Sequence, residues 1–188
     1  MLTAEQLDRV REATRDRRWH DVRLEDIAVA AGVSRMTLHR QGVGKDAVLA
    51  GLAALLEAEH QRATLPALTA AGDAAGRLRL ALAAACDVDE RYLSLLDELG
   101  DRGRNAIFHE EGDGPVLTRA SFTAALRRIL EDGARDGTLD PGPDAEQTAT
   151  LLFNAAGWTY RHMRVGHHWP PEQARTAVVD LLARGVRP

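Results

Sequence analysis

A chain of 188 residues, 45% apolar, 4% aromatic and with a net charge of −4, has room for one hydrophobic core or two small ones. Its apolar residues are mostly Ala and Leu, which favour helix over strand, so the expected fold class is all-α. The acidic total excludes wholesale coating of nucleic acid, but not a local basic footprint.

No stretch nears the ~20 uninterrupted apolar residues of a membrane span, and Met1 to His20 is charged where a secretory signal would be apolar. No membrane partner and a cytoplasmic location are therefore expected. The single cysteine, Cys86, cannot form an internal disulfide, which suits a reducing compartment.

In chain order, the first helix is expected to open at Thr3, where Thr3-Ala4-Glu5-Gln6 has the form of a capping box, and to fray after Asp16. Trp19 should anchor its end. A second helix is predicted from Leu24 to Ala31, with Gly32 as its left-handed terminator. Ser34 is a suitable N-cap for a short third helix from Arg35 to Gln41. After the Gly42-Val43-Gly44 break, a fourth helix runs from Lys45 to Ala63, with Val48, Leu49, Leu52, Leu55 and Leu56 at helical spacing.

Leu65-Pro66 marks a change of region. Further helices are predicted at 73–86, 88–100, 116–136, 144–165 and 171–185, making about nine in all. Asp144 to Gln147 has the form of a second capping box, and Pro170-Pro171 suits a helix start.

Leu24 to Gln41 meets the steric needs of a helix-turn-helix. Ile27 and Ala31 face the third helix, Ala28 lets its backbone approach, Gly32 makes the turn, and Val33 and Leu38 plug the crossing. The third helix then presents Arg35, Met36, Thr37, His39 and Arg40 outward. Between Ser34 and Lys45 there are three permanent cations and no acid, and Lys45 is the only lysine in the chain. A plain helical hairpin is the alternative. The capped, cation-bearing second helix favours double-stranded DNA as partner.

The run Leu24-Glu25-Asp26-Ile27-Ala28-Val29-Ala30-Ala31-Gly32-Val33-Ser34-Arg35-Met36-Thr37-Leu38, followed by Lys45-Asp46-Ala47-Val48-Leu49, resembles the N-terminal signature of the TetR (tetracycline-repressor) family. The close match covers about residues 19 to 52. The resemblance implies an N-terminal helix-turn-helix DNA-binding domain at 1–45 and a helical ligand-binding and dimerisation domain at 46–188. It implies a homodimer that places two recognition helices in successive major grooves of a near-palindromic operator.

Carried over by position, Arg35, Met36 and Thr37 read bases or phosphates, His39 replaces a phosphate-contacting tyrosine, and Lys45 holds a phosphate at the start of the fourth helix. The family's usual aromatic pair is Gln41-Gly42 here, which predicts a more mobile 40–44 loop. Arg23 stands where a capping threonine is common.

Ala149, Leu152, Ala156 and Tyr160, with Ala174, Ala177, Val178 and Leu181, recur near helical spacing and are the expected dimer faces, intrachain core being the alternative. The resemblance also implies an effector cavity. Candidate lining residues are Cys86, Tyr92, Leu96, Phe108, Phe122, Phe153, Trp158 and Met163, each of which could equally be core. They suggest a small apolar or aromatic effector.

His162, His167 and His168, with His109 elsewhere, read better as polar positions than as a metal site, and Glu110-Glu111 reads as a solvated turn. No Ser/His/Asp order, phosphate loop or Cys pair appears, so neither an enzyme nor a cofactor is expected. The expected function is a ligand-responsive transcriptional regulator, with repression as its mode of action. The alternative is a dimeric small-molecule-binding protein with weakened DNA contacts.

Overall fold

The computed structural model describes residues 1–102 and 119–188. Phe108, His109, Glu110 and Glu111 lie outside the described residues. Among those described there are nine α-helices and no strands: α1 (Ala4–Ala13), α2 (Leu24–Ala31), α3 (Arg35–Arg40), α4 (Lys45–Thr64), α5 (Ala74–Arg91), α6 (Leu93–Arg102), α7 (Arg119–Asp136), α8 (Ala145–Arg161) and α9 (Pro171–Arg184). The all-α fold expected from the Ala and Leu content is the one observed. None of these helices is long and apolar enough to cross a membrane.

The chain divides into two compact units, Met1–Ala58 with Arg91–Leu117, and Glu59–Glu90 with Thr118–Pro188.

In the first unit α1 starts with the expected capping box: the Thr3 hydroxyl accepts from the Gln6 N–H at 3.2 Å, and the Thr3 N–H donates to the Gln6 side chain at 2.9 Å. Its apolar face buries Leu7 and Val10. A short 3-10 turn, Trp19–Asp21, buries Trp19 as the expected anchor. Ile27, Ala28, Ala31, Leu38, Val48, Leu49, Leu52 and Leu56 are also buried. Across this unit, the Ser94 hydroxyl on α6 donates to the Thr14 carbonyl, and the Arg11 guanidinium lies 5.4 Å from the centre of the Tyr92 ring.

The second unit packs α7 and α9 against α8 around a core that includes Leu78, Leu82, Cys86, Leu126, Ile129, Leu130, Leu152 and Tyr160. Its rim is tied by ion pairs: Arg77 to Asp132 at 3.1 Å, Arg175 to Asp87 at 2.8 Å, and Arg79 to Asp180. The Arg164 guanidinium binds both Glu90 carboxylate oxygens at 2.8 Å, and the Tyr160 hydroxyl donates to Glu90 at 2.8 Å. Burial and that carboxylate together push the Tyr160 hydroxyl well above its ordinary value. This network pins the end of α8, where the helix widens into one π-helical turn at His162–Gly166.

Two boundaries differ from the sequence expectation. α5 continues through Val88 to Arg91, because Val88 falls on the buried face set by Leu78, Ala81, Leu82 and Ala85. The break comes at Tyr92 instead of near residue 87. The expected 144–165 helix ends at Arg161 as an α-helix, its last turn being the π-helical one.

Candidate nucleic-acid interface

α2 and α3 each end in the same kind of turn. At Gly32 (φ +70°) the Gly32 N–H donates to the Val29 carbonyl at 3.0 Å, and the Val33 N–H to the Ala28 carbonyl at 2.9 Å. Ten residues later the pattern repeats at Gly42 (φ +65°), with Gly42 N–H to His39 carbonyl at 3.0 Å and Val43 N–H to Leu38 carbonyl at 2.9 Å. Each is a Schellman closure, which satisfies the terminal carbonyls of a helix and sets the residue after the glycine against the helix face. At the second closure Val43 and Leu38 are both buried. Gln41-Gly42, standing in place of the aromatic pair, thus lies in a hydrogen-bonded turn sealed by Val43 on Leu38.

Between the two closures, the Ser34 hydroxyl caps α3 by accepting from the Thr37 N–H at 3.0 Å. At the start of α2, where Arg23 replaces the usual capping threonine, the Asp26 carboxylate takes over by accepting from the Arg23 N–H at 2.9 Å. That bond and the Arg17 guanidinium hold its carboxyl below the usual carboxylate range. Arg9 reaches from α1 to the Ala31 carbonyl at 3.0 Å, tying the two helices together next to the turn.

A six-residue helix can spare few side chains for packing, and α3 spares one: Leu38 is buried, Thr37 is half-buried, and Arg35, Met36, His39 and Arg40 are exposed. Met36 is 72% exposed, which is unusual for a large apolar side chain. Arg35 is engaged by Glu25 of α2 at 2.6 Å, in a pair that is largely in water. Such pairs contribute about 0–1 kcal/mol, so Arg35 can exchange Glu25 for another anion easily.

The face thus brings together five of the six residues expected to meet DNA. Lys45 is placed differently. Its ammonium donates to the Trp19 carbonyl at 2.8 Å and the His20 carbonyl at 3.4 Å, and sits 5.5 Å from the centre of the Trp19 indole. It closes the 3-10 turn at least as much as it faces outward.

Because both glycines need positive φ, Gly32→Ala and Gly42→Ala should each lower stability by about 1–2 kcal/mol. Urea unfolding followed by circular dichroism reads this directly. Gly42→Asn should recover part of the loss, since asparagine tolerates the left-handed region.

The candidate effector residues do not form one set. Tyr92 and Leu96 are buried in the first unit. Cys86 is buried in the second unit, where desolvation, then Asp89 and Asp87, push its thiol up to about 12, so it acts as an inert core residue. Met163 packs half-buried on the same core. Trp158 lies outside, 56% exposed, with the Arg161 guanidinium 4.4 Å from the centre of its ring. Phe122 and Phe153 do meet, with ring centres 5.2 Å apart.

The residue they share was missed in the sequence: His60, on α4, is 5.0 Å from Phe122 and 5.5 Å from Phe153 by ring centres. It is 2% exposed, and neither ring nitrogen has a hydrogen-bond partner among the described residues. Desolvation lowers its pKa to about 4, so the ring is neutral at physiological pH. A buried, unsatisfied polar group costs about 1–3 kcal/mol. The signal was there, since Leu52, Leu56, His60 and Thr64 recur every four residues, all buried.

The faces expected for dimerisation divide in two. Ala149, Leu152, Ala156, Tyr160, Ala174 and Val178 are intrachain core, while Ala177 and Leu181 are exposed. The exposed apolar residues of α8 are Leu151 (64%) and Trp158 (56%), with Leu181 (61%) on α9. His162 and His167 stack edge-on at 5.0 Å at the end of α8. No three His, Cys, Asp or Glu side chains among the described residues are placed to share a metal ion.

The all-helical architecture, with a helix-turn-helix next to the N-terminus, defines the fold of the TetR/AcrR class of transcriptional regulators. A TetR/AcrR regulator from Thermobifida fusca YX-ER1 superimposes with a TM-score of 0.67 at 19% identity, over 98% of this chain and 98% of that one. PfmR, a TetR-family regulator from Thermus thermophilus, gives 0.67 at 19% identity, over 95% and 97%. The ketosteroid regulator KstR2 of Mycobacterium tuberculosis gives 0.64 at 14% identity, over 98% and 94%. No family model matches the sequence, and no curated protein matches it.

Proposed function

We propose that the chain is a DNA-binding transcriptional regulator that acts in the cytoplasm as a homodimer, is released from its operator by a small apolar or aromatic effector, and represses. The observation that carries this reading is α3: a capped helix closed by glycine turns at both ends, with one side chain buried and Arg35, Met36, His39 and Arg40 on its outer face. Among the described residues, the Arg35–Glu25 ion pair is the one polar contact of those four side chains. A major groove suits these residue types, because guanidinium groups meet phosphates and guanine edges while Met36 and Thr37 can touch thymine methyl groups.

The exposed apolar residues Leu151 and Trp158 on α8 and Leu181 on α9 support the dimer. Two copies of such a face would make a self-complementary, two-fold interface, and a dimeric helix-turn-helix protein reads half-sites roughly 34 Å apart. Leu151→Asp combined with Trp158→Asp should convert the dimer to monomer in analytical ultracentrifugation while helicity by circular dichroism is kept. A variant that still sediments as a dimer places the interface elsewhere. An effector can act only by binding the DNA-incompetent arrangement more tightly than the competent one.

A mobility-shift assay on the DNA upstream of the protein's own gene tests the function. Retardation that weakens steeply with salt supports the regulator. Clean binding of an apolar ligand with no retardation of any fragment favours a dimeric small-molecule-binding protein on the same scaffold.

A further inference from the structure

We propose that His60, with Phe122 and Phe153, is the recognition point for the effector, and that the effector is an uncharged ring compound bearing a hydroxyl group. The inference rests on the reading of the chain as an effector-responsive regulator and names the chemistry of that effector. In the second unit the end of α4, α7 and α8 each contribute one ring, with centres 5.0, 5.5 and 5.2 Å apart. Packing alone gives no reason for an imidazole there. Phenylalanine or leucine would fill the same place and orphan nothing, whereas both nitrogens of His60 are buried without a partner among the described residues.

A partner arriving with another molecule would satisfy those nitrogens. A neutral imidazole has one N–H donor and one lone-pair acceptor. A hydroxyl both donates and accepts, so a single oxygen can serve whichever nitrogen it reaches. An anion is disfavoured, because it would draw a proton onto a ring that burial holds neutral. The two phenyl rings, tilted 34° to each other, make the surroundings of His60 aromatic, which suits a flat ring over a flexible chain. Phe153 is half-buried while His60 and Phe122 are each 2% exposed, so Phe153 is the most accessible ring of the three.

The test uses the full chain and two matched pairs of probes, 2-naphthol with naphthalene and 4-phenylphenol with biphenyl. Calorimetry should give one site per chain, with each phenol bound about tenfold more tightly than its hydrocarbon. In the long-range proton–nitrogen spectrum of the histidine rings, the phenols should move the His60 nitrogens and the hydrocarbons should leave them. His60→Phe should reduce the preference to less than about twofold. Equal binding within each pair, no binding of any probe, or a preference that survives in His60→Phe overturns the inference. If His60→Phe does not fold, the spectra of the unaltered chain decide alone. DNA retardation is measured in parallel. Phenol recognition without DNA binding sinks the regulator and leaves the site, and DNA binding without phenol recognition does the reverse.

Discussion

Replacing Arg35 and Arg40 together by alanine should lower affinity for operator DNA about 100-fold, at roughly one factor of ten per position. Both guanidinium groups are exposed on α3, and the one ion pair they make among the described residues, Arg35 with Glu25, is largely in water and contributes about 0–1 kcal/mol. Leu38, the Ser34 cap and the two glycine closures hold the helix, so the unfolding midpoint should stay within a degree or two. The slope of log affinity against log salt should fall by about 1 for each phosphate contact removed.

Glu25 supplies the opposite prediction. Its carboxylate holds Arg35 at 2.6 Å and would face the phosphates itself. Glu25→Gln should therefore tighten DNA binding about two- to fivefold, which is the range of an exposed ion pair. Fluorescence anisotropy at several salt concentrations measures both variants beside the parent. If Arg35 and Arg40 were merely solvated surface, the double variant would bind like the parent and Glu25→Gln would change nothing.

The second large effect is on stability against pH. Going from pH 7 to pH 5 should remove about 2 kcal/mol through His60 alone. The sign follows from the two pKa values. Folded, His60 titrates at about 4, and unfolded at 6.5. Between them the unfolded chain takes up a proton that the folded chain refuses. The stabilisation is thus complete above 6.5, and it is lost as pH falls towards and through 4. Asp89 runs the other way. Desolvation, opposed by Arg161, raises its carboxyl to about 7, so its contribution is complete below 3.8 and is lost as pH rises through 7. Urea unfolding at the two pH values, for the parent chain and for His60→Phe, cancels Asp89 and every other shared group. The parent should lose about 2 kcal/mol more than the variant; equal losses would contradict a buried, neutral His60.

Much of the first unit was legible because its devices are local. Thr3, Ser34 and Gly32 act within five residues of themselves, and the apolar spacing of α2 is short and unambiguous. The closure at Gly42 was half legible. Gln41-Gly42 marked a departure from the usual aromatic pair, but that Gly42 and Val43 form their own anchor depends on Leu38 lying beneath them. The α8 faces could not be separated, since Leu151 and Leu152 are adjacent, as are Ala155 and Ala156, and apolar spacing holds for either stripe. Only the packing of α7 and α9 chooses which of them is core. His60 was hidden by its neighbours: Glu57, Glu59, Gln61 and Arg62 make the local composition that of a solvated helix face.

In the function proposed for the chain, the outer face of α3, presented twice by a dimer, grips one side of a duplex. Hydroxyl-radical footprinting on a fragment selected from random DNA tests it most directly. Two protected patches about one helical turn apart, related by a dyad and both erased by the Arg35/Arg40 double substitution, are the predicted result. If the folded protein enriches no fragment, or leaves a footprint that the double substitution does not alter, α3 is not the DNA-reading element.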